Sequence, residues 1–231
     1  MRCLATMRST VLAVATLLTA CGEEPVPPPA AAIDFGALLE SAKPEAPKAA
    51  KGPALDRQLV EAALERTKHE VEYDPAYIKL DYPGGDVPEG TGTCTDVVIR
   101  SYRALGLDLQ KLVHEDMTAA FSDYPANWGL TKPDKNIDHR RVPNLQKFFT
   151  RHGETRPKTT DAADYVPGDV VTWNVGRNNK HVDHIGIVSN VLNDDQTRYM
   201  VVHNIGEGPK LQDVLFDWPV TGHFRFIPEP A

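Results

Sequence analysis

The sequence predicts an α+β fold in which N-terminal helices pack on an antiparallel β-sheet. Two observations predict it. Apolar residues recur at helical spacing as far as about His152, and from Asp164 onward the period becomes that of strands separated by polar turns. Helices first and hairpin-linked strands afterwards is the order of an α+β domain with an antiparallel sheet.

The chain begins with material that the fold does not need. Met1 to Ala20 carries Arg2 and Arg8, then an apolar run from Val11 to Leu18, and closes on Leu18-Thr-Ala-Cys21, the pattern of a bacterial lipoprotein signal. The run is too short to span a bilayer as a mature helix. Residues 1–20 are expected to be removed and Cys21 to be lipidated. Gly22 in place of Asp, by resemblance to sorted lipoproteins, favours the outer over the inner membrane and puts the protein on the periplasmic face. Residues 21–53, with Pro25, Pro27, Pro28 and Pro29 and almost no large apolar side chains, read as a tether. Without Arg2 and Arg8 the balance is 23 basic against 32 acidic residues, or −9. With no basic block, nucleic acid is excluded as a partner, and membrane association rests on the lipid alone.

Residues 54–231 hold the folded domain. Asp56 is expected to cap a helix carrying Leu59, Val60, Ala63, Leu64 and Val71, ended by Asp74-Pro75. Ala76 to Tyr82 reads as a short strand, and Pro83-Gly84-Gly85 as a turn. The glycine-punctuated run Gly90-Thr-Gly-Thr-Cys94 then enters a helix with Val97, Val98, Tyr102 and Leu105 on one face and a stop at Gly106. Asp108 starts the next helix, through about Phe121. Residues 124–141 are irregular, a length of loop that usually binds or covers something. Pro143 opens a helix through Phe148, Phe149 and His152. Strands follow over residues 169–174, 184–191, 199–204 and 222–227.

Cys94 is the focus of the chemistry. Once Cys3 leaves with the signal and Cys21 carries lipid, it has no cysteine to pair with, which in an oxidising compartment asks for a purpose. At a helix N-terminus, unpaired N–H groups and the helix dipole favour thiolate over thiol. A nucleophilic cysteine needs a base and a group that orients the base. On strict alternation His184 shares a sheet face with Gly186 and Val188, where the missing side chain leaves space for a helix terminus, and antiparallel pairing brings His203 close to His184. Asn204 is the second choice of orienter because it faces the other way.

The order Tyr82-Pro-Gly-Gly85, Cys94 opening a helix that ends in Leu105-Gly106, Pro167-Gly-Asp-Val-Val171, His184-Ile-Gly-Ile-Val188 and Val202-His203 resembles the NlpC-type papain-like superfamily of cell-wall hydrolases. Within it, Asn136-Ile-Asp-His-Arg-Arg-Val-Pro-Asn-Leu-Gln146 and His203-Asn-Ile-Gly206 resemble the bacterial family known as domain of unknown function 1287. The resemblance implies a papain-like fold, Cys94 as nucleophile, His184 as base, His203 as orienter and Tyr82 as an oxyanion donor beside the Cys94 N–H. Thr93-Cys94-Thr-Asp96 departs from the superfamily's common Asp-Cys-Ser-Gly and alters the neighbouring pocket.

Chemistry adds Asp96, His139, Arg140, Arg141 and Asn204 as substrate-binding candidates, since arginine forks hold carboxylates bidentately and peptidoglycan stems carry several. An equal expectation is that Arg140 and Arg141 pair with structural acids near a helix start. A metal site drawn from His139, His181, Asp183, His184 and His203 is disfavoured, because positions 181 and 184 of a strand point to opposite faces. No metal or cofactor is expected. These residues predict a lipid-anchored periplasmic thiol hydrolase acting on an amide, with peptidoglycan as partner. Acyl transfer on the same fold, or a non-catalytic wall-binding or scaffolding lipoprotein, are the alternatives.

Overall fold

A computed structural model describes residues 55–176 and 184–227. The signal segment, Cys21, the tether, His181 and Asp183 lie outside the described residues. Among those described, α1 (Leu55–Arg66), α2 (Cys94–Ala104), α3 (Leu109–Ala120) and α4 (Val142–His152) precede most of the sheet. Two short strands, β1 (Glu72–Tyr73) and β2 (Thr91–Gly92), pair in parallel. The main sheet is built from β3 (Glu154–Thr155), β4 (Val170–Trp173), β5 (His184–Leu192), β6 (Tyr199–His203), β7 (Lys210–Gln212) and β8 (Val220–Arg225), in the order β3-β8-β4-β5-β6-β7, with every pair antiparallel. The fold is α+β, as the change of period predicts.

Strand alternation gives the sheet two buried faces. On one, Val170, Ile185, Ile187, Val202 and Phe224 pack against Leu59, Val98, Ile99, Tyr102, Leu145 and Phe149 of the helices. Each such side chain contributes on the order of 1.5–3 kcal/mol by leaving water. The Tyr102 hydroxyl, deep in this layer, donates to the Phe226 carbonyl at 2.9 Å. On the other face, Val171, Trp173, Val188 and Val201 pack with Tyr165, Val214 and Leu215.

Several boundaries differ from the sequence reading. The first helix ends at Arg66 and does not reach Val71, with the Thr67 hydroxyl donating to the Leu64 carbonyl as the chain turns off. Asp56 lies inside the first turn of α1. Residues 76–82 form no strand, because their polar groups find side chains instead of a neighbouring strand. Leu80 N donates to Asn136 Oδ1 at 2.9 Å, and the carbonyls of Asp74 and Ala76 accept from Arg140. The remaining helix starts agree with expectation: Asp108 caps α3 by accepting from Gln110 N, and Pro143 sits in the first turn of α4.

Candidate active site

The loop before Cys94 is tied down from inside its own helix. Arg100, on the second turn of α2, donates to the carbonyls of Val87, Pro88 and Thr91 and pairs with Asp86 at 3.0 Å. Arg103, one turn on, pairs with the same Asp86 at 2.7 Å. Gly92 has φ +159°, and a Cβ there would meet the Asp96 Cβ at 3.2 Å, so the approach to the helix needs glycine. Thr93 is the N-cap, with its N–H donating to Asp96 Oδ2 at 2.7 Å. This reciprocal capping is worth about 1 kcal/mol and sets Cys94 as the first helical residue.

Cys94 sits where the loop meets the sheet. Asn204, just past the end of β6, reaches the Gly92 carbonyl with its amide at 3.5 Å, and the backbone N–H of Ile185, the residue after His184, donates to the Cys94 sulfur. The thiol is only 3 % exposed. Burial pushes its pKa up to about 12, and the neighbouring Asp96 adds to the rise. The N–H groups of Ile185, Thr95 and Cys94 itself pull the other way and lose. This corrects the expectation of a resting thiolate: the helix terminus acts in the predicted direction, but desolvation is larger.

His184 and His203 are brought together. Nε2 of His184 lies 2.8 Å from Nδ1 of His203, with the rings edge to face, and both side chains are buried. His184 opens β5 beside Trp173, with 5.8 Å between the ring centroids. Gly186 makes this possible, though not by leaving room for a helix terminus as expected. A Cβ at Gly186 would meet Val201 Cγ1 at 2.7 Å, the Val202 carbonyl at 2.9 Å and His203 Cβ at 3.1 Å, so β6 itself fills that space. Burial pushes His184 down to about 3, helped by His203, and burial likewise lowers His203 against the opposing effects of Gln212 and Asp217. At neutral pH this is a neutral imidazole pair.

Trp218 completes the cluster and has no counterpart in the sequence reading. Its ring stands edge-on to His184 at 5.6 Å, to His203 at 6.1 Å and to Trp173 at 6.4 Å between centroids. It lies between β7 and β8, at the end of the apolar run Val214-Leu-Phe-Asp-Trp218, where no periodicity singles it out.

Two of the substrate-binding candidates are consumed by each other. Arg140 Nε lies 2.9 Å from Asp96 Oδ1 and Nη2 3.0 Å from Oδ2, with both side chains 3 % exposed. With Arg140 also holding the carbonyls of Asp74 and Ala76, neither has capacity left for a ligand, which corrects that expectation in favour of structural pairing. Thr95 Oγ1 donates to the Arg140 carbonyl, so the 3-10 turn Asp138–Arg140 is fastened to the first turn of α2. His139 is buried in that turn, its pKa pushed down by burial to about 4, with Nδ1 lacking a hydrogen-bond partner among the described residues. Arg141 pairs with Asp138 at 3.1 Å and stacks on Trp128. Asn204 accepts from Gly206 N at 3.1 Å and bonds Gly92, so it braces the loop while His203 meets His184.

Tyr82 stands with α3. Its ring packs on His114 with 5.0 Å between centroids, Lys135 Nζ lies 5.4 Å from it, and the following turn is held by Asp108 and Gln110. Among the described residues no group of three His, Cys, Asp or Glu side chains is gathered as metal ligands.

With this geometry in view, comparison with known proteins finds a family model described as a domain of unknown function, DUF1287, matching residues 60–226. A relative from Escherichia coli (strain K12), described as uncharacterized protein YijF, is 53% identical over 155 residues, covering 67% of this chain and 74% of its own. Among solved structures, NlpC1 from Trichomonas vaginalis is similar with TM-score 0.43 and 17% identity over 77% of this chain. The chain spans only 46% of that protein's length. An N-acetylmuramoyl-L-alanine amidase from Bacteroides uniformis is similar with TM-score 0.48 and 12% identity, covering 75% of this chain and 99% of that one.

Proposed function

The chain belongs to the DUF1287 family, and from that premise we propose that it is a thiol hydrolase that cleaves an amide bond through a Cys94 thioester. One observation carries the reading: the imidazole pair of His184 and His203 stands at the strand start whose next N–H is bonded to the Cys94 sulfur. For His184 to accept a proton through Nδ1, its Nε2 must carry hydrogen and donate to Nδ1 of His203, and the 2.8 Å contact fits that tautomer.

The burial of both groups shapes the mechanism. Thiol and imidazole are neutral at rest, so the proton leaves sulfur for His184 as Sγ attacks the carbonyl carbon, by general-base catalysis and not from a preformed ion pair. The carbonyl oxygen becomes an oxyanion, for which the Cys94 N–H at the helix start is the supported donor. Tyr82, packed on His114, is a weaker candidate. Collapse passes the proton from His184 to the leaving amine and leaves a thioester. Water, deprotonated by His184, then releases the acid and restores the thiol.

We take the substrate to be a peptidoglycan stem peptide, and the enzyme to be held by lipid on Cys21 at the periplasmic face of a bacterial membrane, the outer one by preference. A second reading, a wall-binding lipoprotein without turnover, is favoured by the near-complete burial of Cys94. Purified sacculi incubated with the mature chain carrying Cys21→Ser, with and without Cys94→Ser, separate the two. New muropeptide ends by mass spectrometry that vanish with Cys94→Ser are the expected result. Identical profiles with retained sacculus binding establish the binding module and overturn the enzyme.

A further inference from the structure

A second candidate site lies beside the Asp138–Arg140 turn. The start of α4, the end of α3 and residues 124–130 enclose a pocket of about 100 Å³. Its apolar wall includes Met117, Phe121 and Leu130, with Trp128 and Leu130 each 38 % exposed. Its polar side is Asp138, Arg141 and Asn144.

Asn144 supplies a buried acceptor beside this pocket. The side chain is fully buried, its amide donates to the Asp138 carbonyl at 3.1 Å, and its Oδ1 has no hydrogen-bond partner among the described residues. Leaving such an acceptor empty costs about 1–3 kcal/mol, which a ligand N–H would return. Arg141 spends one N–H on Asp138 Oδ1 and is held flat, 4.1 Å from the centre of the Trp128 ring. Stacking pre-orders the guanidinium for a planar anion. Arg141 is the N-cap of α4 and Asn144 its third residue, so they are neighbours on one face of the helix.

We propose that this pocket binds the carboxyl-terminal residue of a peptide. Its carboxylate meets Arg141, its amide N–H donates to Asn144 Oδ1, and its side chain lies against Met117, Phe121 and Leu130. Volume sets the scale: a cavity of roughly 150 Å³ takes a benzene ring, so about 100 Å³ suits an alanine-sized residue. The inference rests on the hydrolase reading for its purpose, naming a stem peptide with a free end as substrate. Its binding does not need turnover.

The test uses the mature chain with Cys94→Ala, titrated by calorimetry with N-acetyl-Ala-Ala and with the C-terminal amide of the same peptide. The acid should bind at least tenfold more tightly than the amide. Arg141→Gln should lose at least tenfold, with Arg141→Lys recovering part. Leu130→Glu, which adds a negative charge at an exposed rim position, should lose as much without touching the buried groups, and it decides the matter if Arg141→Gln unfolds. No saturation by the acid, equal binding of acid and amide, or parent-like binding by Leu130→Glu overturns the site. If the peptide binds while the unmutated protein leaves sacculi intact, the hydrolase reading fails and the pocket stands; cleavage without peptide binding gives the reverse.

Discussion

Two buried histidines on one face of one sheet have opposite chemistry. His223 on β8 is paired across β4 with Val171, and its Nε2 lies 2.8 Å from Asp169 Oδ2 while Nδ1 lies 3.0 Å from the Pro157 carbonyl. Both nitrogens are thus engaged within the cluster. Arg225 completes the cluster on Asp169, and Tyr165 stacks on the ring at 4.2 Å between centroids. His184 on β5, by contrast, meets another imidazole, which can accept its proton and leave its second nitrogen free. A buried histidine with both nitrogens tied to its neighbours is a strut; one tied through a single nitrogen keeps the other for chemistry.

The contrast breaks most sharply by mutation. His184→Ala should lower turnover on sacculi by on the order of 10³-fold or more, with little change in fold. His223→Gln should leave turnover per folded molecule unchanged and lower the unfolding free energy by about 2 kcal/mol, since Asp169 loses one charged hydrogen bond but keeps Arg225. Paired kinetics and urea titrations check both. A large kinetic loss in His223→Gln without loss of stability would mean that the two histidines had been assigned the wrong way round.

Acid sharpens it next. His184 at about 3 and His139 at about 4 are both depressed from 6.5, and His203 is lowered too. Below the unfolded value of about 6.5 the unfolded chain binds protons that the folded one refuses, so this stability is complete above that pH and is lost as pH falls toward the folded values. Tm should therefore decline steadily from pH 6.5 to 4, a change worth on the order of several kcal/mol. His184→Phe should flatten the decline. An unchanged slope in that variant would show that His184 is not held neutral by the fold.

What could be read from the sequence was local or periodic. The helix start at Cys94, the shared face of His184 and Gly186, and the pairing of β5 with β6 follow from spacing alone, and these bring the two imidazoles together. The thiol's state did not follow, because the N–H groups that lower its pKa are set by the helix start, whereas the burial that raises it comes from strands about ninety residues away. Asp96 and Arg140 are separated by 44 positions, and no pattern in either segment announces their pairing. The same guanidinium takes the Ala76 carbonyl at the start of the segment 76–82, where a strand was expected. Trp218 was hidden because the connection that carries it has several apolar side chains and no alternation to single one out.

Trp218 also offers the smallest test of the comparison. Its ring covers both members of the imidazole pair, whereas on the other side of β4 the stack over His223 is made by Tyr165. If dryness is what keeps His184 neutral, thinning this cover must let water return to the pair and raise the His184 pKa toward its ordinary value. Trp218→Leu should then cost less than tenfold in kcat/KM at pH 8, where His184 is neutral in either case. The loss should grow as pH falls, with the acid limb moving upward by about one unit. An acid limb that stays in place would mean that the sheet and Trp173, and not Trp218, exclude water from the pair.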